Sequence, residues 1–229
     1  AIKDFVATDC ADRTGIDELR AAIERETDAL EHLRAAFPAA WFGIKDRLAG
    51  MEDNYVTFEH YRGICDANGE SEHDAQDALA IHLHNLCIAL NYKDDPRLRD
   101  THVLNPRWVT DGIYAILTDK DLASRGGELH VSDLADLLDP KVYPPERHSF
   151  LLELMEKFEL CFAFPDAPGH YLVPELLPKD QSPEAERFKL AECLNFEYHY
   201  PVLPEGLVPR FIVRSHVLSC GDGGARWRT

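Results

Sequence analysis

The sequence predicts a mainly helical α+β protein with small antiparallel sheets, winged-helix-like in its middle and closing on the start of a second α+β subdomain. Three observations carry that prediction. Apolar residues recur at helical spacing over several stretches. The runs with strand character are very short and are bounded by Pro, Gly, Asn or Asp. Residues 105–175 follow the order helix, strand, helix, helix, strand, turn, strand, which is the element order of a winged helix.

Taken in order, Phe5-Val6-Ala7 reads as a short buried strand, and Ile16, Leu19, Ile23, Leu30 and Leu33 mark one face of a helix. Pro38 opens a second helix carrying Trp41, Ile44 and Leu48. Thr57 and Ser71 are predicted N-caps, the latter ahead of a helix with Ala75, Leu79, Leu83 and Leu86 on its buried face. Ile88-Ala89-Leu90 and Val103-Leu104 are predicted to pair as strands across the loop Lys93-Asp94-Asp95-Pro96. Asn105-Pro106 joins an N-cap to a first-turn proline, and Trp108, Val109, Ile113, Ile116 and Leu117 give that helix its core face. Glu128 to Val131 is a brief strand, Ser132 caps a short helix to Leu138, and Glu146 to Phe158 forms the third helix of the winged segment. Strands Leu160 to Phe164 and Tyr171 to Pro174 flank the turn Pro165 to Gly169. Beyond a polar linker, Leu194, Phe196, Tyr198 and Tyr200 alternate as in a half-buried strand. A helical pattern through Leu207, Val208, Phe211, Ile212 and Val217 follows, and Ala225 to Thr229 begins another strand.

Composition narrows the function. The chain has 229 residues, 45% hydrophobic and 28% charged, enough for one or two domains with their own cores. Lys and Arg total 24 against 41 Asp and Glu, a net charge of −17, which repels phosphate backbones and anionic membranes. Residues 105–178 hold six basic and thirteen acidic side chains, and the third helix carries Glu146, Glu153 and Glu156 against Arg147 and Lys157. A DNA-reading helix needs the opposite balance, so a winged-helix DNA-binding regulator is the disfavoured alternative and no nucleic-acid partner is expected. The six cysteines lie singly, which suits reduced thiols in a cytoplasmic setting. No apolar stretch of about 18 residues and no signal peptide is seen. Both ends read as cuts through a longer polypeptide.

Candidate chemistry is sparse. His82 and His84 lie two apart on a helix and point about 200° from one another, so with Cys87 they make a poor metal set, and no metal is expected. Cys161 and Cys87 flank apolar residues and read as small buried hydrophobes, and no motif supplies the base a cysteine nucleophile requires. Asp94-Asp95 before Pro96 is a turn rather than an acid/base pair.

Three stretches together resemble the COR region of the Roco family, multidomain proteins in which a Ras-like G domain called Roc is followed by COR. The first runs from His84-Asn85-Leu86-Cys87-Ile88-Ala89-Leu90 through Asp94-Asp95-Pro96 and Leu98-Arg99-Asp100 to Val103-Leu104-Asn105-Pro106-Arg107-Trp108-Val109. The second is Leu151 to Phe162, continuing to Tyr171-Leu172-Val173-Pro174, and the third is Tyr198-His199-Tyr200 with Leu203 to Leu207 and Pro209 to Ile212. Cys87 departs from the pattern, which places glycine between that helix and strand.

The resemblance implies a domain plan: the end of Roc over residues 1–34, a first COR subdomain over 35–178, and a linker with the start of a second COR subdomain over 179–229. Asp9, Cys10 and Ala11 would be the remnant of the loop that contacts the guanine base. The chain contains no GxxxxGK[ST] loop to cradle phosphates, so it is expected to be non-catalytic and without cofactor, with GTP or GDP bound by the parent Roc domain. The parent protein would be a GTP-hydrolysing signalling protein of the kind that includes leucine-rich-repeat kinases. The implied partners are the Roc domain of the same protein and a second copy, joined through the second COR half. The resemblance also turns the hairpin toward Roc, with Phe162, His170 and Tyr171 as its interface residues.

Overall fold

A computed structural model describes residues 5–29, 37–180, 198–202, 204 and 206–218. Two compact units divide the chain, residues 1–43 and residues 44–229. In the first, the expected strand at Phe5 to Ala7 is coil, and the described residues of this unit include no strand. Helix α1 (Ile16–Asp28) buries no residue, and Leu19 and Ile23 are exposed. Gly15 precedes it at φ 74°, where a Cβ would run into the carbonyl of Ala7. Leu30 and Leu33 lie outside the described residues. Helix α2 (Ala39–Ala49) follows Pro38 as expected, with Ile44 and Leu48 buried.

The second unit is a mainly helical α+β body with two small antiparallel sheets. Strand β1 (Tyr55–Thr57), absent from the sequence reading, leads into α3 (Phe58–Ala67), and Thr57 caps that helix by accepting from the His60 amide at 3.2 Å. Helix α4 (His73–Asn85) starts after Glu72, whose side chain makes no cap bond, so the expected cap at Ser71 is displaced by one residue. Leu86, expected on its buried face, is the C-cap and is 66% exposed. Strands β2 (Leu90–Asn91) and β3 (Thr101–Val103) pair antiparallel, each shifted slightly from its expected span, and the sheet order is β1-β3-β2. The row Tyr55, Val103, Leu90 faces the main core, and the row Val56, His102, Asn91 faces α3 and α4. Both faces are therefore covered, and Thr101, His102 and Val103 are all buried.

Asn105 caps helix α5 (Pro106–Leu117) by accepting from the Arg107 amide, as the Asn-Pro pair predicts. A short helix α6 (Lys120–Ser124), capped by Asp119, leads to β4 (Glu128–His130). The next turn is 3-10 at residues 131–133 and is closed by Asp133 accepting from the His130 amide at 3.0 Å, so Asp133 and not Ser132 holds the entry to α7 (Leu134–Leu137). Helix α8 (His148–Lys157) follows a 3-10 turn at 145–147 and buries His148, Phe150, Leu151, Leu152, Leu154 and Met155. The core closes on Trp108: its Nε1 donates to Val142 O at 2.9 Å, and Tyr143 Oη donates to Trp108 O at 2.8 Å. Gly112 is needed below that pair, since a Cβ there would lie 2.7 Å from Tyr143 Cε1.

Strands β5 (Phe162–Ala163) and β6 (His170–Leu172) complete the second sheet, order β4-β6-β5. Helix α9 (Leu207–Ser215) matches the expected pattern at Leu207 to Ile212. Tyr198 and Tyr200 are exposed and not in a strand, while Leu194, Phe196 and Ala225 to Thr229 lie outside the described residues.

Candidate functional site

The β5–β6 hairpin is built from its turn outward. Phe164 donates its amide to His170 O at 2.9 Å, His170 to Ala167 O at 3.0 Å, and Gly169 takes φ 76° to close the loop. Strand β4 lies on its other side, with Leu129 opposite Tyr171 and His130 opposite His170. Period-two alternation then sorts every side chain. Leu129 and Tyr171 point inward, Leu129 fully buried and Tyr171 packed against the main core. Burial pushes the Tyr171 phenol up. Glu128, His130, Phe162, His170 and Leu172 belong to the rows on the outer face.

The outer face has two parts. Phe162, Leu172 and Leu177 form an apolar cluster against which Ile212 and Val213 of α9 pack. His216, just beyond α9, stacks on Phe162 with ring centres 4.1 Å apart. Toward the turn lies a second group: His130 and His170 stack at 4.1 Å, and Phe164 leans on His170 at 4.5 Å. The His170 Nε2 is 3.5 Å from Glu128 Oε2. His130 and Val131 are exposed beside it.

The three interface residues expected from sequence thus separate. Tyr171 lies on the inner face, Phe162 lies outward but under α9, and His170 stands outward in the part α9 does not cover. Sequence reasoning missed Glu128, His130 and Phe164; the alternation of Glu128, Leu129 and His130 was the signal that places two of them beside His170.

The remaining candidates resolve into structure. Asp9 Oδ1 accepts from the Ala11 amide at 2.8 Å, and Asp9, Cys10 and Ala11 form an exposed turn before α1. His84 Nδ1 accepts from the Asn91 amide at 3.2 Å, which ties α4 to β2. Among the described residues no three His, Cys, Asp or Glu side chains are placed to hold a metal. Cys161 is buried as expected, and burial pushes its thiol far up, the opposite of a nucleophile, whereas Cys87, expected buried, is exposed at the turn after α4. Asp95 is a turn residue that also clamps α8: it accepts from Arg97, and Arg97 reaches Glu156 at 2.6 Å. Hydrogen bonds from Arg97 hold the Asp95 carboxyl below its usual range. Glu156 is therefore occupied, and the third helix offers carboxylates where a DNA reader needs cations.

The family described as "C-terminal of Roc, COR-A domain" matches residues 38–177, and its COR-B counterpart matches residues 191–229. The chain belongs to the COR domains of Roco proteins. This COR region is 28% identical over 192 residues to a probable serine/threonine-protein kinase, roco11 of Dictyostelium discoideum, covering 77% of this chain and 13% of the relative. It is 24% identical to a Roc-COR-CHAT protease of Runella zeae, covering 93% of this chain and 23% of the relative. Among solved structures, Roco2 RocCORdC of Methanosarcina barkeri, bound to GDP, is 35% identical with a TM-score of 0.69, over 77% of this chain and 55% of that one. The COR region thus spans a minor part of these curated relatives. These matches lend no support to a winged-helix DNA-binding regulator. No described helix is long and apolar enough to cross a membrane.

Proposed function

We propose that this COR region is a non-catalytic scaffold that docks on the Roc domain of its own protein, couples the GTP cycle of Roc to pairing of two copies through COR-B, and works in a soluble compartment such as the cytoplasm. The domain plan that supports this reading has a Roc remnant over 1–34, a winged-helix-like COR-A over 35–178 and the start of COR-B beyond it. GTP or GDP would be held by Roc, and Asp9 to Ala11 would adjoin its base. The observation that carries the docking reading is the turn end of the hairpin's outer face, which the described residues of α9 do not seat on, where the exposed His130 stacks on a half-buried His170 with Phe164 beside it. Flat aromatic and imidazole rings give a partner contact area at low entropic cost. Of the three sequence-derived interface residues, His170 is assigned to contact, Phe162 to the seat of α9 and Tyr171 to support from beneath.

The test is a calorimetric titration of the GDP-loaded Roc domain into this chain. His170→Ala should weaken association by about 1 to 2 kcal/mol, as a contact residue does. Tyr171→Ala should act mainly on folding stability. Equal affinity for wild type and for a His130→Ala, His170→Ala double variant would reject the hairpin face as the docking surface.

A further inference from the structure

Four helices of the second unit end, among the described residues, in the same hydrogen-bonded cap. The first residue past the C-cap turns left-handed, and its amide and the next reach back to the last turn. The pairs are Gly69 to Asp66 O and Glu70 to Cys65 O after α3, and Cys87 to His84 O and Ile88 to Leu83 O after α4. They recur as Gly126 to Ala123 O and Gly127 to Leu122 O after α6, and as Glu159 to Glu156 O and Leu160 to Met155 O after α8. Gly69 and Gly126 take this conformation freely, whereas Cys87 at φ 55° and Glu159 at φ 60° carry a Cβ through it. What distinguishes Glu159 is its partner. Its Oε1 accepts from Arg214 Nε at 2.7 Å, and its Oε2 lies 3.9 Å from Arg210 Nε, one turn earlier on α9.

We propose that α9 is a releasable clamp fixing the COR-B half to the hairpin sheet of the COR-A half, and that Glu159 is its catch. The clamp has an apolar part, Ile212 and Val213 against Phe162, Leu172 and Leu177, and a stacked ring, His216 on Phe162. The catch lies to one side and is solvent-exposed on the arginine partners, 73% for Arg214 and 62% for Arg210, so salt and water weaken it. Arg214 nonetheless holds the Glu159 carboxyl below its usual range. At nine residues α9 is too short to persist as a helix without its seat. Release and unwinding are therefore one event. It uncovers Phe162 and Leu172, which are 7% and 0% exposed while α9 is seated, in the rows beside His170. The clamped and released states present different outer faces, and a glycine at 159 would relax the backbone but lose the catch.

Amide hydrogen exchange on the whole 229-residue chain tests this with Glu159→Gly, Arg214→Gln and the swap Glu159→Arg with Arg214→Glu. Both single variants should speed exchange across α9 by about three- to tenfold, the range an exposed ion-pair cluster supports, and leave α8 and β6 unchanged. The swap should return α9 to within about twofold of wild type. Unchanged α9 exchange in both single variants would overturn the proposal. So would equal acceleration through α8 and β6 in Glu159→Gly, or a swap that exchanges as fast as the single variants.

Discussion

The two three-stranded sheets of the second unit share an order, with the last strand of each in the middle, yet they do different work. The β1-β3-β2 sheet is covered on both faces, so even its central histidine is buried, stacked on Tyr61 at 4.3 Å. The β4-β6-β5 sheet is covered on one face, and among the described residues α9 seats on half of the other; its central histidine is half-buried in the half toward the turn, stacked on the exposed His130. A sheet sealed on both sides can only hold the fold together. A sheet with exposed residues at one end of a face, such as His130 and Val131, can hold the fold and meet a partner as well. The same residue type, on the central strand of each sheet, is thus fully buried in His102 and half-buried on the outer face in His170.

Neighbouring substitutions expose the difference most strongly. In the second sheet, Leu129→Ala should cost about 2 to 5 kcal/mol in urea unfolding, while His130→Ala, one residue on, should fall within about 0.5 kcal/mol. In the first sheet the neighbours His102→Ala and Val103→Ala should both destabilise. Near-equal costs at 129 and 130 would break the comparison.

Acid should act on the first sheet next. Burial lowers the His102 pKa to about 4, against 6.5 for the free group, with Asp77 partly opposing. Below 6.5 the unfolded chain takes up a proton that the folded chain refuses until about 4, so the unfolded state binds more protons and stability falls as pH falls across that window. The loss should approach roughly 3 kcal/mol at the low end. His102→Phe, which keeps the stack and removes the titration, should flatten the pH slope between 6.5 and 4; an unchanged slope would place the acid sensitivity elsewhere.

A smaller effect separates the two strained caps. Cys87 has no ion pair to offset its left-handed backbone, so Cys87→Gly should raise the urea midpoint, by about 0.5 to 1 kcal/mol in stability. No gain there would show that the turn tolerates its side chain.

Much of this was legible in the residues. Asn105-Pro106 and Thr57 fixed two helix starts through local hydrogen bonds, and glycine was expected where Cys87 now adopts φ 55°. Tertiary facts were not. Strand β1 is three residues that become a strand only because β3 pairs with it, and Phe5 to Ala7 carries a similar apolar signal but forms no strand among the described residues. The helix entries at Glu72 and at His130 each differ from the expected serine: Glu72 precedes α4 without any side-chain cap bond, and at the second entry Asp133 accepts from the His130 amide. For the hairpin, the sequence named His170 and Tyr171 together, although adjacent strand residues face opposite ways; telling them apart required knowing that the core lies under Leu129.

The central claim is that the turn side of the second sheet's outer face, around His130 and His170, is the surface a Roc domain meets. Backbone amide shifts of the isotopically labelled chain, followed as GDP-loaded Roc is added, test it most directly. The account predicts the largest shifts at His130, Phe164 and His170, with His102 and Val103 unmoved. Largest shifts around β1, β2 and β3, with the hairpin silent, would contradict it.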